Sequence, residues 1–308
     1  FLGLILIIFF SALREKDIYK IASVFFIIFF VSLLLVPIFG IEVKGSKRWL
    51  DFPILPRFQP IEFLKPFLIV LLSLVIGSRF TSNNYLKFFL SALIVLPILL
   101  SLTLQPDIGQ TLLISSVWLS LIFVSGVNLY LLNFLILFSF SILGYLILYL
   151  PKFFYIKSRI TSFFDVTSKG NYQSQKATDA IIDGGFFGKG IGEGTLNNRV
   201  PEAHTDYVIS VISEEFGVLL ILLILLIFLV LLFKVFKKIP YEKNDSNKIV
   251  LIGSVLLIIF QVLIHIGVNI RLLPTTGMTL PFLSYGGSSI LSSSILAGLI
   301  LNFTKRKI

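Results

Sequence analysis

Residues 207–236 read YVISVISEEFGVLLILLILLIFLVLLFKVF. A hydrocarbon core takes about 20 apolar residues per helix, and this run is long enough to cross it. Working outward, further apolar runs fall at residues 1–13, 20–40, 61–77, 87–104, 108–125, 129–150, 249–270 and 285–303, some nine in all, with polar breaks between them. No run alternates with the period of two that a barrel strand needs, so a helical bundle is the spanning solution. The composition agrees. Of 308 residues, 56% are hydrophobic and only 14% charged, with a mean hydropathy of +0.98, far from an average globular domain. An all-α polytopic membrane protein is expected, one transmembrane helical domain over residues 1–308 carrying a large extracytoplasmic loop at 151–206. The chain has no cysteine, which removes disulfides, thiolate ligands and thiol catalysis, and its two histidines, His204 and His265, are too few for a His-rich metal site.

Chain direction alternates with each crossing. Arg14, Lys16 and Lys20, then Arg79 and Lys87, then Lys234, Lys237, Lys238, Lys243 and Lys248, then Lys305, Arg306 and Lys307 all land on one side. The positive-inside rule names that side cytoplasmic, and the C-terminus with it. The other side receives residues 41–60, the QPDIG turn at 105–109, the loop 151–206 and residues 271–285. Those outer segments are rich in cations: Lys44, Lys47, Arg48, Arg57, Lys152, Lys157, Arg159, Lys169, Lys176, Lys189, Arg199 and Arg271. A long translocated loop escapes the rule, but the short 41–60 loop breaks it without a topological reason. A multiply charged anion at the outer surface supplies one reason, and anionic lipid headgroups supply another. Nucleic acid is a poor partner, because these cations flank membrane segments rather than line a solvated stripe. The first run opens at Phe1 rather than Met, without a basic n-region or a small-residue cleavage site, so a fragment lacking its beginning is expected.

Ionisable groups at membrane depth are functional candidates by default. Glu62 and Lys65 lie three apart in QPIEFLKPF, hence on one helix face, and either neutralise each other as a packing pair or leave Lys65 free to reach a phosphate. Glu214 and Glu215 sit about two turns into a helix starting near Asp206, and as neighbours they point to different faces. Gln261, His265 and Asn269 recur every fourth residue, a polar stripe of the kind that hydrogen-bonds between helices.

The outer loop contains DGGFFGKGIGEG at 183–194. Its glycines permit close backbone approach and positive-φ turns that present amides to an anion, although it is neither a Walker motif nor a dinucleotide fingerprint. Pro201, Glu202, His204, Thr205 and Asp206 then cluster where the chain meets the membrane again. Partial desolvation there raises a carboxyl toward general-base values, while a helix N-cap is the other use of Asp206. Physics alone leaves both open.

Several separate motifs spread over essentially the whole chain resemble the SEDS family of peptidoglycan glycosyltransferases: KGSKRWLDF (44–52) with RFQPIEFLK (57–65), QPDIGQTLL (105–113), GGFFGKGIGEGT (184–195), PEAHTDYVISVISEEFG (201–217) and LPTTGMTLPFLSYGGSS (273–289). GKGIGEGT with PEAHTD, and LPFLSYGGSS, look more like the cell-division branch than the elongation branch. The resemblance implies ten transmembrane helices, of which the first is missing here, and an essential aspartate that matches Asp206. It implies a polar cavity lined by Glu62 and Lys65. Lys44, Lys47, Arg48, Lys189, Glu202, His204, Thr205, Arg271, Ser284 and Tyr285 then become substrate-binding candidates, with the outer basic residues meeting lipid pyrophosphates. The substrates implied are lipid II and the undecaprenyl-pyrophosphate-linked glycan. A class B penicillin-binding transpeptidase and other divisome proteins are the implied partners, at the septum of the bacterial inner membrane. No nucleotide or organic cofactor is needed, whereas a divalent cation, Mg or Mn, has a place beside the leaving pyrophosphate. Two other functions compete: a lipid II flippase using the buried polar groups, weakened by the lopsided outer loop and the lack of an inverted repeat, and a non-catalytic divisome scaffold.

Overall fold

The computed structural model describes residues 1–43, 46–53, 56–78, 83–128, scattered positions between 130 and 149, 153–164, 172–194 and 203–305. Its elements in chain order are α1 (Leu2–Ala12), α2 (Glu15–Phe39), β1 (Ile41–Val43), β2 (Ser46–Trp49), α3 (Pro60–Ile76), α4 (Asn84–Leu104), α5 (Ile108–Val124), α6 (Phe154–Phe164), α7 (Tyr172–Gly184), α8 (Val208–Phe216), α9 (Val218–Lys238), α10 (Asp245–Asn269) and α11 (Gly287–Thr304). Among the described residues, five helical spans are long and apolar enough to cross a membrane: Glu15–Phe39, Asn84–Leu104, Val218–Tyr241, Asp245–Asn269 and Gly287–Thr304. The expected runs at 1–13, 61–77 and 108–125 form the shorter helices α1, α3 and α5. The expected run at 129–150 lies largely outside the described residues.

The chain divides into two compact units, residues 1–132, 232–260 and 286–308 in one, and 133–231 and 261–285 in the other. In the first, α3 is the central element, buried along nearly its whole length and packed against α2, α4, α5 and α11. Pro60 occupies its first turn, where the missing amide costs nothing, and Pro66 sits inside it. Asn83 starts α4 by accepting the Tyr85 N–H at 2.9 Å, and Asp107 starts α5 through the Gln110 N–H at 3.4 Å.

α1 and α11 pack closely through small residues. A side chain on Gly298 would meet Phe10, and one on Gly3 would meet Ser294. The last carbonyls of a helix have no partner within it. Those of α1 are taken by Asn302, whose amide donates to Phe10 O at 2.9 Å, Ser11 O at 3.2 Å and Leu13 O at 2.7 Å.

The described residues of the 41–60 segment form two short strands and an isolated bridge. β1 and β2 pair antiparallel, with Glu42 opposite Lys47 and Val43 opposite Ser46, and a Leu50–Phe58 bridge of 3.0 and 3.1 Å extends the ladder.

The second unit corrects the reading of 207–236 as one helix beginning near Asp206. α8 ends at Phe216, Gly217 takes φ +80°, and α9 starts afresh at Val218. Glu214 and Glu215 therefore close a short helix rather than lying inside a long one. Their divergence holds: Glu214 is buried and Glu215 half-buried. The break exists to receive the glycine-rich loop. Lys189 N–H donates to Glu214 O at 2.9 Å and Gly190 N–H to Glu215 O at 3.0 Å, while a Cβ on Gly217 would collide with the carbonyl of Phe186. Buried Ala177, Ala203, Tyr207 and Val268 form the local core.

Gly217→Ala forces an alanine into both a left-handed φ and a backbone clash, a strain of about 1–3 kcal/mol. The variant is expected to show a lower thermal midpoint than wild type in a detergent unfolding assay. Gly287→Ala, at a site with open space around it, is expected to leave the midpoint unchanged.

Candidate functional site

Two polar networks are built from the residues singled out above, one in each unit. In the first unit, Lys65 Nζ lies 2.9 Å from Glu62 Oε2, with both side chains buried. They sit three apart on α3, so one helix face carries both charges. Glu62 Oε1 also accepts from Gln110 Nε2 at 2.5 Å. Three residues earlier on the chain, Asp107 accepts from Gln59 Nε2 at 3.0 Å and faces Arg48 Nη1 at 3.7 Å. Arg48 further donates to the carbonyls of Gln105 and Pro106. Burial pushes the Asp107 carboxyl above its usual range, and the Arg48 guanidinium pulls it back. Arg48, Glu62 and Lys65 are thus brought together through Asp107, Gln110 and Gln59. Those three were not among the candidates, although RFQP and QPDIGQ carry them. Lys47 stays apart, exposed on β2 opposite Glu42. Lys44 lies outside the described residues.

In the second unit, three successive carbonyls are held by three donors. The Tyr285 N–H donates to His204 O at 2.9 Å, Ser284 Oγ to Thr205 O at 2.7 Å, and Asn269 Nδ2 to Asp206 O at 3.2 Å. Ser284 Oγ is itself oriented by accepting the Leu280 N–H at 2.7 Å. The strap 204–206 is therefore fixed on the end of α10 and on the 280–285 turn. His204, Thr205, Asp206, Ser284 and Tyr285 come together, as does Asn269 from the polar stripe. Gln261 Nε2 donates to Thr279 O at 2.9 Å and His265 Nδ1 lies 2.7 Å from Met278 O, so the stripe binds the extended segment that follows α10. A carbonyl only accepts, which puts the His265 proton on Nδ1.

The N-cap position of α8 is Tyr207, one residue after Asp206, with no side-chain cap bond. Asp206 is half-buried in the turn before it. Burial pushes the Tyr207 phenol above its ordinary range. The Asp206 charge acts in the same direction and the Arg159 charge against it. Arg159, from α6, also donates to Thr275 O at 3.3 Å. Sequence reading counted Arg159 only as one outer cation among many, because Tyr207 and Thr275, which it faces, lie far along the chain.

Lys189 pairs with Asp183 within the glycine-rich loop, away from the strap. Arg271 follows α10 with φ +57°. Glu202 lies outside the described residues. The amides of Lys189 and Gly190 donate to Glu214 O and Glu215 O, and that of Gly192 to Glu215 Oε1 at 3.3 Å, so the loop's glycines bring it close to α8. Among the described residues no three His, Cys, Asp or Glu side chains converge as metal ligands. Mg or Mn held chiefly by a substrate pyrophosphate needs only one or two protein carboxylates.

A model of the FtsW, RodA and SpoVE family, described as cell cycle protein, matches residues 1–307. A "Probable peptidoglycan glycosyltransferase FtsW" of Caulobacter vibrioides is 31% identical over 306 residues, covering 96% of this chain and 75% of that protein. The protein of that name from Trichlorobacter lovleyi is 33% identical over 279 residues, covering 88% of this chain and 72% of its own. A chain from a peptidoglycan synthase complex that coordinates polymerization and crosslinking superimposes with a TM-score of 0.81 at 27% identity, covering 98% of this chain and 86% of that one. The rod shape determining protein RodA of Thermus thermophilus gives 0.70 at 27% identity, covering 98% and 84%.

Removing one partner of a buried pair leaves an uncompensated charge, at a cost of about 3–5 kcal/mol. Lys65→Met is therefore expected to unfold at lower temperature than the double variant Glu62→Gln/Lys65→Met. Thermal denaturation in detergent checks that order.

Proposed function

The chain belongs to the family of cell cycle proteins that contains FtsW, RodA and SpoVE, and from that membership we propose a multi-pass membrane glycosyltransferase that polymerises lipid II into glycan strands for the septal wall. Asp206 is its general base. Polymerisation joins the 4-hydroxyl of an incoming GlcNAc to the anomeric carbon of the growing glycan. The hydroxyl proton passes to the Asp206 carboxylate as the new C–O bond forms. The bond to undecaprenyl pyrophosphate breaks, and its electron pair leaves with the pyrophosphate oxygen. General-base assistance of this kind contributes about 10²–10⁴-fold.

The observation that carries the reading is the strap 204–206. A base works only when its carboxylate is held within reach of one proton, and three hydrogen bonds to consecutive carbonyls restrain the backbone from which Asp206 projects. Arg48 and Lys65, each held by a buried carboxylate, are the first unit's candidates for a lipid-linked pyrophosphate. Lys44, Lys47, Lys189 and Arg271 are the further cations of the outer face. The acidic donor carries its own leaving group, so no nucleotide enters. The partner is a class B penicillin-binding transpeptidase that crosslinks the strand as it emerges, and the C-terminus faces the cytoplasm.

The test is glycan polymerisation from labelled lipid II by the protein co-purified with its transpeptidase. Asp206→Asn keeps size and hydrogen bonding but not basicity, and it is expected to lose at least about 100-fold in rate. Ser284→Ala loosens the strap without touching the carboxylate and is expected to lower kcat by about tenfold or more, with KM little changed. Equal product from wild type and Asp206→Asn refutes the base assignment.

A further inference from the structure

The turn after α7 carries Phe186, Phe187 and Ile191, and the last turn of α7 carries Ile182; all four side chains are between 72 and 83% exposed. Large apolar groups gathered at such exposure mark a surface that something covers. Their height against the membrane is fixed by main-chain bonds. Val218 N–H donates to Gly185 O at 3.0 Å and Leu219 N–H to Phe186 O at 3.4 Å, so this turn satisfies the first amides of α9. On its other flank it is pinned to Glu214 O and Glu215 O through the amides of Lys189 and Gly190.

α9 has 21 residues, about 31 Å of helix at 1.5 Å per residue, against a hydrocarbon core of about 30 Å. Lys237 and Lys238 end it at one surface, and the positive-inside rule makes that surface cytoplasmic. The opposite end, where the turn is bonded, then lies at the outer boundary between acyl chains and headgroups. Exposed Leu219, Leu222 and Leu223 continue the apolar surface from the turn down the helix. Of the ionic groups nearby, Asp183 and Lys189 pair with each other, Glu215 accepts the Gly192 N–H and Glu193 is exposed.

We propose that Ile182, Phe186, Phe187 and Ile191 form an interfacial wedge inserted among the acyl chains of the outer leaflet. The occupant of this surface is lipid, because the hydrogen bonds to Val218 and Leu219 hold it at that depth and the lipid-facing row of α9 runs on from it. The wedge is also a depth gauge for α8, since the segment carrying it grips that helix at Glu214 and Glu215.

The chain has no cysteine, so Phe187→Cys, Ile191→Cys and, as a water-facing control, Glu193→Cys each give one labelling site. With the full chain in phosphatidylethanolamine and phosphatidylglycerol vesicles, nitroxides at 187 and 191 are expected to be relaxed by oxygen at least about threefold more than by a water-soluble nickel chelate, with the reverse at 193. Relaxation by the chelate at 187 and 191 as strong as at 193 overturns the proposal. So does shielding from both reagents, which would mean a protein partner or second copy covers the patch. Photolabelling of the unsubstituted protein by a carbene-bearing lipid gives an answer free of any variant: adducts on 182–191 are expected, and their absence overturns the proposal.

Discussion

Hydrocarbon offers no hydrogen bonds, so every amide, carbonyl and charge that this chain carries to membrane depth must find its partner within the protein. That constraint gathers the polar side chains. Glu62, Lys65, Gln110, Asp107, Arg48 and Gln59 pair with one another instead of scattering. Asn302 exists in α11 to absorb three carbonyls of a helix end. The strap at Asp206 obeys the same rule: its carbonyls, left without a regular helix, are answered by Asn269, Ser284 and the Tyr285 amide. Precision at the site is a by-product of satisfying the backbone. The donors required to keep carbonyls 204–206 from going unpaired are the same donors that keep Asp206 in one place.

The membrane class, most helix positions and the pairing of Glu62 with Lys65 were legible in the sequence because each depends on local spacing: apolar length for the spans and an i,i+3 step for the ion pair. The break at Gly217 was not. The apolar pattern runs through it unbroken, and its cause is the distant loop 184–190, which needs the backbone of Glu214 and Glu215 as a docking edge. The same non-local logic hid Asp107, Gln110 and Asn269, whose roles depend on which residue lies across from them. Asp206 stood out by its position, yet the choice between cap and base depended on where α8 begins. The N-cap position itself falls one residue later, at Tyr207.

The glycine-rich loop shows both features that its glycines permit. Positive φ and close approach are both present, as at Gly188, where a Cβ would strike the Glu215 backbone. What approaches is the protein's own chain. The glycines let two main chains lie edge to edge, which couples the loop to the helix that follows Asp206.

The Asn302 contact bears on how the protein is made. Ribosomes deliver the chain from the N-terminus, so α1 reaches the membrane while the residue that satisfies Phe10, Ser11 and Leu13 is still nearly three hundred residues away from synthesis. Until α11 inserts, those carbonyls must stay near the water interface or borrow a temporary donor. The packing of α1 is therefore completed only once α11 has been made, and a nascent chain stalled before residue 302 holds α1 without its permanent seat.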